Sequence, residues 1–154
     1  MQRNNIDTWT IQVPGWLLLA YLVIAQALPA FDYELGVRMG TQEPAEMISE
    51  VGVAFWYGFA FADLVLYIPV LAIALVGLRR AARWAGVVAG AAFGISVYWP
   101  VVCLAALVDA RGAPGWAIGD ETAYWVVLPV VAAWGLWGLW RVSSPANKDD
   151  SQPG

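Results

Sequence analysis

The sequence contains no histidine, a single cysteine and few charged residues, which make up 13% of the chain. Without histidine, the chain lacks the commonest zinc and haem ligand and the commonest proton-transfer group near neutral pH. The lone Cys103 excludes an intrachain disulfide and a cysteine metal site. The chain also lacks a phosphate-binding loop, a dinucleotide-binding glycine motif, a nucleophile-elbow motif and a basic patch. We therefore predict no metal, no cofactor and no nucleic-acid partner.

Apolar residues, in contrast, are abundant: 60% of the chain is hydrophobic and the mean hydropathy is +0.61, more apolar than a soluble domain. A helix needs about 20 apolar residues to cross a bilayer. Long apolar runs occupy residues 16–30, 51–78, 84–108 and 123–140. The first run is short, but residues 14–35 can cross if Asp32 and Glu34 lie at the membrane interface. The sequence therefore predicts an all-α integral membrane protein, a bundle of four transmembrane helices.

We expect these helices to form one domain, residues 1–142, followed by a disordered polar tail, residues 143–154, with the sequence SSPANKDDSQPG. The first run is not typical of a cleaved signal peptide. Only Arg3 precedes it as a basic residue, an aspartate lies nearby and no clear cleavage site follows. We expect it to remain as a helix of the protein.

Basic residues are concentrated on one side of the predicted bundle. Six of the eight lie in the connection between the second and third helices or near the chain ends: Arg3, Arg79, Arg80, Arg83, Arg141 and Lys148. The positive-inside rule makes this side cytoplasmic, with both termini inside. The opposite side is acidic, with Asp32, Glu34, Glu43, Glu46, Glu50, Asp109, Asp120 and Glu121. This acidic side either attracts cations or, as the simpler interpretation, is a solvated rim. The composition, with one lysine, favours a bacterial inner (plasma) membrane.

Each predicted helix contains a proline: Pro29, Pro69, Pro100 and Pro129. A proline removes one backbone hydrogen bond and kinks a helix, and in a membrane neighbouring groups must satisfy the carbonyl that it frees. Four kinked helices favour a bundle that opens around a cavity, although prolines are also common in membrane helices generally.

The third helix carries Gly86, Gly90 and Gly94, which form two overlapping GxxxG steps. Small residues four apart lie on one face and let another backbone approach closely. The stripe either packs inside the bundle or forms a homodimer, and the pattern allows both.

The stretch FWYGFAFADLVLYIP, residues 55–69, surrounds one carboxylate, Asp63, with apolar and aromatic residues. A charge near the bilayer centre costs about 2.5–3.5 kcal/mol, and no lysine or arginine lies inside a predicted helix to pair with it. The carboxyl group must be protonated, hydrogen-bonded, hydrated or paired with a ligand. Because ionisable residues within membranes are functional by default, we interpret Asp63 as the centre of a site.

Helix spacing suggests partners for Asp63. Trp56, Phe59 and Tyr67 share its face of the second helix. Residues that could reach inward from other helices are Tyr21, Gln26, Ser96, Tyr98 and Tyr124. Asp32, at the end of the first helix, either meets Asp63 at one depth and shares a proton or cation with it, or caps its helix at the interface.

Ten tryptophans are present. Six lie near predicted membrane interfaces, where indole rings are favoured, and the deeper ones are Trp56, Trp99, Trp134 and Trp137. The deeper rings either fill the core and the lipid-facing surface or form an aromatic wall around a ligand, including a cationic one.

Taken in order, several segments resemble the EXPERA superfamily. They are WLLLAY at 16–21, a proline followed by Asp32, FADLVLYIP at 61–69, a basic turn with Trp84, YWP at 98–100 and YWVVLP at 124–129. The similarity covers residues 16–141. It is closer to the four-helix sigma-2 receptor type than to the five-helix emopamil-binding sterol isomerases.

This resemblance implies a kinked four-helix bundle, often dimeric, with a hydrophobic pocket that opens toward the membrane. In the sigma-2 type, one carboxylate from helix 1 and one from helix 2 engage an amine of the ligand, and Asp32 and Asp63 best match these positions. The implied aromatic wall comprises Trp56, Tyr67, Tyr98, Trp99, Tyr124 and Trp134. The isomerases of the superfamily use histidine and glutamate, so the absence of histidine departs from their pattern.

The preferred hypothesis is intramembrane binding of a hydrophobic small molecule (sterol-like, terpenoid or an amine-bearing lipid) in an aromatic pocket with Asp63 as polar anchor. The predicted ligand-binding residues are Gln26, Asp32, Trp56, Phe59, Asp63, Tyr67, Tyr98, Trp99, Tyr124 and Trp134. One alternative is an acid-catalysed isomerase or cyclase with Asp63 and Asp32 as catalytic residues. Another is an accessory subunit of a membrane complex. Proton or ion translocation is disfavoured, because one deep acid forms no relay to both sides.

Overall fold

The protein folds as a bundle of helices. A computed structural model of the chain describes residues 5–144, with side chains from residue 9 onward. The elements are α1 (Asn5–Leu22), a π-helical turn (Val23–Ala27), α2 (Leu28–Phe31), α3 (Tyr33–Arg38), α4 (Ala45–Ala62), a second π-helical turn (Asp63–Tyr67), α5 (Ile68–Arg79), α6 (Ala85–Ala110) and α7 (Thr122–Ser143). Over the described residues every regular element is helical, which confirms the predicted all-α fold.

Four helical stretches within residues 5–144 are long and apolar enough to cross a membrane: Trp9–Phe31, Ala45–Arg79, Ala85–Ala110 and Thr122–Ser143. We number them as spans 1 to 4. Their number agrees with the predicted four helices and supports an integral membrane protein. Span 1 begins earlier than predicted and ends before Asp32, so Asp32 and Glu34 lie beyond it. The predicted tail from residue 145 onward, with Lys148, lies outside the described residues, as does Arg3. The orientation and the proline kinks stay predictions.

Spans 1 and 2 each contain a π-helical turn just before a proline. In span 1 the backbone N–H of Leu28 donates to the carbonyl of Val23, five residues back, and Pro29 follows. In span 2 the turn Asp63–Tyr67 closes in the same way ahead of Pro69. Such turns are rare and occur often at functional sites. By contrast, the other two spans continue as α-helix through their prolines.

A further proline, Pro14, lies inside α1. Because it has no N–H, it cannot donate to the carbonyl of Thr10, four residues back. The indole Nε1 of Trp134, on α7, donates to that carbonyl at 3.1 Å. A side chain from another span therefore satisfies the group that the proline frees, as a low-dielectric environment requires.

The core lies along the axis of the bundle and takes residues from all four spans. Fully buried members include Leu22, Leu71, Leu75, Phe93, Leu107 and Tyr67. The most extensive contact joins α6 and α7, and glycines make it possible. A Cβ at Gly138 would lie 2.7 Å from Cδ1 of Phe93, and one at Gly135 would lie 3.0 Å from the Phe93 carbonyl oxygen.

The glycine stripe of α6 has a different place. A Cβ added at Gly86, Gly90 or Gly94 meets nothing within 4 Å in the described part of the chain. The alternative in which this stripe packs inside the bundle is therefore wrong. The glycines that let α6 and α7 approach closely are Gly135 and Gly138 of α7. Pairing of the stripe with a second copy stays a prediction.

Candidate functional site

A cavity of about 290 Å³ lies between the four spans, at the end of the bundle that carries the connections 39–44 and 111–121. We call it the first cavity, and this end the acidic end. The lining residues are Tyr21, Gln26, Gly40, Thr41, Gln42, Glu43, Trp56, Phe59, Trp99, Cys103, Asp120, Ala123, Tyr124, Val127 and Leu128. The sequence predicted five of these as ligand-binding residues and also expected Tyr21 to reach inward.

Aromatic rings form one wall of the first cavity. Trp56 of α4 stacks on Tyr124 of α7, with ring centroids 6.3 Å apart and planes 22° apart. Phe59 follows one turn later, 6.2 Å from Trp56 between centroids. Trp99 of α6 also lines the cavity and is 7% exposed. Helix spacing brings Trp56 and Phe59 to one face, and the packing of α4 against the other spans turns that face inward.

The polar wall centres on Glu43, in the connection between α3 and α4. The hydroxyl of Tyr124 donates to Glu43 Oε1 at 3.0 Å, and the hydroxyl of Tyr33 donates to the Glu43 backbone carbonyl at 2.6 Å. Burial raises the pKa of Tyr33, and the nearby carboxylates of Glu43 and Glu34 raise it further, so this phenol keeps its proton at neutral pH. The two tyrosines fix Glu43 at the cavity.

Gln42 shows why this connection folds back over the cavity. Pro29 has no N–H to donate to the carbonyl of Ala25, four residues back. The amide Nε2 of Gln42 donates to that carbonyl at 2.7 Å. The proline in span 1 thus creates an acceptor inside the bundle, and Gln42 satisfies it while drawing the next residue, Glu43, to the cavity wall.

A second carboxylate, Asp120, lies at the start of α7 and also lines the first cavity. Its Oδ1 accepts a hydrogen bond from the backbone N–H of Thr122 at 2.9 Å. Hydrogen bonds from Thr122 lower the pKa of Asp120, because they favour the charged form. Asp120 is therefore a carboxylate at neutral pH.

Asp63 lies behind the cavity wall rather than in it. Its side chain is 3% exposed, and the indole Nε1 of Trp99 donates to Oδ2 at 3.4 Å. Asp63 is the first residue of the second π-helical turn. The carboxylate is thus linked to the cavity through Trp99, which lines it. Of the environments that the sequence allows for Asp63, this one is the hydrogen-bonded carboxyl group.

Tyr67, four residues on from Asp63, is likewise turned into the core. Its hydroxyl and that of Ser96 lie 2.5 Å apart, and Ser96 donates to the carbonyl of Ala92. Tyr67 is 2% exposed and does not line the first cavity. It joins the second π-helical turn to α6.

Three other predicted ligand-binding residues lie away from the cavity. Asp32 is exposed: its Oδ1 accepts from the backbone N–H of Leu35 at 3.0 Å, and Arg38 pairs with it at 3.7 Å. It caps the N-terminus of α3 rather than the end of the first span, and the structure does not bring it to Asp63. Tyr98 is 68% exposed on the outer surface of α6. Trp134 packs edge-on against Phe93 and binds the Thr10 carbonyl instead.

Sequence reasoning missed the residues of the connection 39–44, above all Gln42 and Glu43. The sequence assigns Glu43 only to the acidic side of the bundle, which either attracts cations or is a solvated rim. The available signal was a polar Thr41-Gln42-Glu43 segment that follows shortly after a span whose proline leaves a carbonyl unsatisfied. No group of three or more potential metal ligands occurs among the described residues.

Comparison of the chain with protein families, functionally described proteins and solved structures gives no match. The resemblance to the EXPERA superfamily therefore stays a hypothesis, supported by the segments quoted above.

Proposed function

We propose that the protein binds a hydrophobic small molecule with a cationic amine in the first cavity, at membrane depth. The supporting observation is the chemistry of the cavity wall. Glu43 and Asp120 are acidic, none of the described lining residues is basic, and the adjoining wall is aromatic. A neutral sterol or terpenoid, the other ligand classes predicted, needs no carboxylate.

The contacts of Glu43 favour an ammonium group as its partner. One carboxylate oxygen, Oε1, accepts from Tyr124, and the other has no hydrogen-bond partner among the described residues. A carboxylate oxygen without a partner is stabilised by a cation that also donates a hydrogen bond, because charge-assisted hydrogen bonds are stronger than neutral ones. The ring of Trp56 lies against Tyr124, so an ammonium at Glu43 also meets aromatic faces, which attract cations.

Asp63 has a positioning role in this proposal, and the polar anchor is Glu43. The carboxylate of Asp63 accepts from the indole of Trp99 and so fixes the orientation of a ring in the cavity wall. The catalytic alternative requires an acid that touches the substrate. Because Asp63 lies behind Trp99 and Asp32 lies outside the cavity, binding is preferred over acid catalysis.

Glu43→Gln tests the proposal, because glutamine keeps the size and the acceptor for Tyr124 but removes the charge. We expect the affinity of purified protein for tritiated N-methyldibenzylamine, a hydrophobic amine that is protonated at pH 7, to fall roughly tenfold or more. The matched control is Glu46→Gln, an exposed acid of the neighbouring turn that does not line the cavity. Equal affinity in wild type and Glu43→Gln would contradict the proposal.

A further inference from the structure

A second cavity, of about 410 Å³, lies beside the first, between α4, α6 and the connection 111–121. Much of its wall is apolar, with Ile48, Phe55 and Leu107 among the lining residues. Trp56 and Cys103 line both cavities. The two cavities therefore share a wall that includes these two side chains.

The outer wall of the second cavity is held in place. The backbone N–H of Ala117 donates to the carbonyl of Met47 at 2.7 Å. Where Gly115 meets Ser49, a Cβ on the glycine would lie 3.1 Å from the serine Cβ. Ser49 has φ 65° and ψ 167°, a region that is almost restricted to glycine and that persists where surrounding structure enforces it, as at ligand clamps.

Trp116 supplies a polar group to this cavity. Its indole nitrogen is buried and has no hydrogen-bond acceptor among the described residues. Buried donors are nearly always paired in folded proteins. Because Trp116 lines the second cavity, a molecule there with an accepting oxygen would pair this N–H.

We propose that the two cavities form one binding site for an elongated amphiphile, with its amine at Glu43 and a hydrogen-bond-accepting oxygen farther along its chain at Trp116. This inference rests on the proposed function and extends it to a ligand class. The first cavity alone is at the lower limit of the volumes usual for small-molecule sites, and the pair falls well within that range. In this arrangement the chain of the ligand passes beside Trp56 and Cys103, the two side chains that line both cavities.

Photolabelling with two probes tests the proposal. Both carry a dimethylammonium head and a diazirine at the chain end; one has a six-carbon chain, and the other a fourteen-carbon chain with a ketone. Purified protein is labelled with and without excess non-photoreactive probe, and labelled residues are mapped by peptide mass spectrometry. We expect the short probe to label the first cavity only, and the long probe to label residues 113–116.

Variants that fill the second cavity sharpen the test. Ala106→Phe places a ring in the second cavity, whereas Ala105→Phe, on the exposed side of the same helix, is its matched control. Ala113→Phe fills the cavity from the exposed connection and serves if Ala106→Phe does not fold. We expect either filling variant to weaken binding of the long probe at least tenfold and to leave the short probe and the control unchanged.

Trp116→Phe tests whether an oxygen of the ligand accepts a hydrogen bond from the Trp116 indole. Phenylalanine keeps an aromatic ring and removes the N–H donor, so the preference for the ketone probe over its alkane analogue should fall by about three- to tenfold. An unchanged preference overturns the assignment of Trp116.

The outcomes separate this inference from the proposed function. If the short probe binds and depends on Glu43, but the long probe does not label residues 113–116, the two-cavity site is wrong and the amine site stands. If filling variants and the Ala105→Phe control weaken long-probe binding alike, the two-cavity site is also wrong. If neither probe binds, both proposals fail.

Discussion

Spans 1 and 2 differ from spans 3 and 4 in how they accommodate proline. The first pair is interrupted by π-helical turns, and these turns carry buried polar residues, Gln26 and Asp63. The second pair runs as continuous α-helix, and glycines bring it into close contact around Phe93. Irregular backbone leaves groups that need polar partners, and Gln42 reaches back to such a group in span 1 and brings Glu43 to the cavity. Regular backbone allows tight packing, so the continuous pair provides the rigid half of the bundle.

The largest expected effect comes from disturbing the continuous pair. Gly138→Ala places a Cβ 2.7 Å from the Phe93 ring, so the ring or a helix must shift, and such overpacking costs about 1–3 kcal/mol. The matched control is Gly90→Ala, where the Cβ meets nothing within 4 Å. We expect it to be neutral or stabilising by up to about 1 kcal/mol, since alanine favours helix over glycine. The free energy of unfolding in detergent measures both, and a loss of similar size in both would contradict the comparison.

The same contrast shows what the sequence could predict. Apolar run lengths sufficed for the four helices, because hydropathy alone decides which segments can span a membrane. Which face of each helix turns toward the core was harder to predict. Neighbouring residues of a helix point about 100° apart, and on α6 Trp99 is 7% exposed while Tyr98 is 68% exposed. Without the packing of α6, nothing distinguishes the two rings.

Glu43 could not be predicted for a different reason. Its place at the cavity depends on contacts between segments that are far apart in the chain, from Gln42 to Ala25 and from Tyr124 to Glu43. A short polar connection has no hydrophobic periodicity, so its sequence does not indicate that it folds back onto the bundle. Asp63 illustrates the converse: its apolar surroundings in the sequence indicate a buried carboxyl group, which the structure shows, but its contact with Trp99 depends on how α6 packs against span 2.

A smaller effect tests whether the carbonyl that Pro14 leaves without its helical donor in span 1 depends on a side chain of span 4. Trp134→Phe removes the donor to the Thr10 carbonyl and should cost about 1 kcal/mol of unfolding free energy. In a Pro14→Ala background the alanine N–H can donate to that carbonyl, so the same substitution should cost less. The double-mutant cycle isolates this coupling. Equal costs in the two backgrounds would show that Trp134 acts through packing on Phe93 alone.

The smallest effect concerns the connection that joins the continuous pair. Arg111 and Glu121 form an ion pair, Trp125 donates to Glu121 at 3.0 Å, and the guanidinium lies 5.5 Å from the Trp125 ring centroid. The hydrogen bond from Arg111, and then that from Trp125, lower the pKa of Glu121 below its ordinary 4.5. A carboxylate whose pKa is lowered by folding stabilises the fold above its unfolded pKa, and this contribution is lost as pH falls through the folded value.

Glu121→Gln removes this contribution. At pH 6 we expect its Tm in detergent to lie below that of wild type by at most about 2–4 °C, because exposed ion pairs contribute little. Once the pH has fallen through the folded pKa of Glu121, the two Tm values should converge, since wild-type Glu121 is then also neutral. Asp120, whose pKa is lowered by Thr122, titrates in both proteins and cancels from the difference. A Tm gap that stays constant as the pH is lowered until Glu121 is protonated would mean that the glutamine substitution acts through shape or hydrogen bonding, and that the charge of Glu121 does not stabilise the connection between spans 3 and 4.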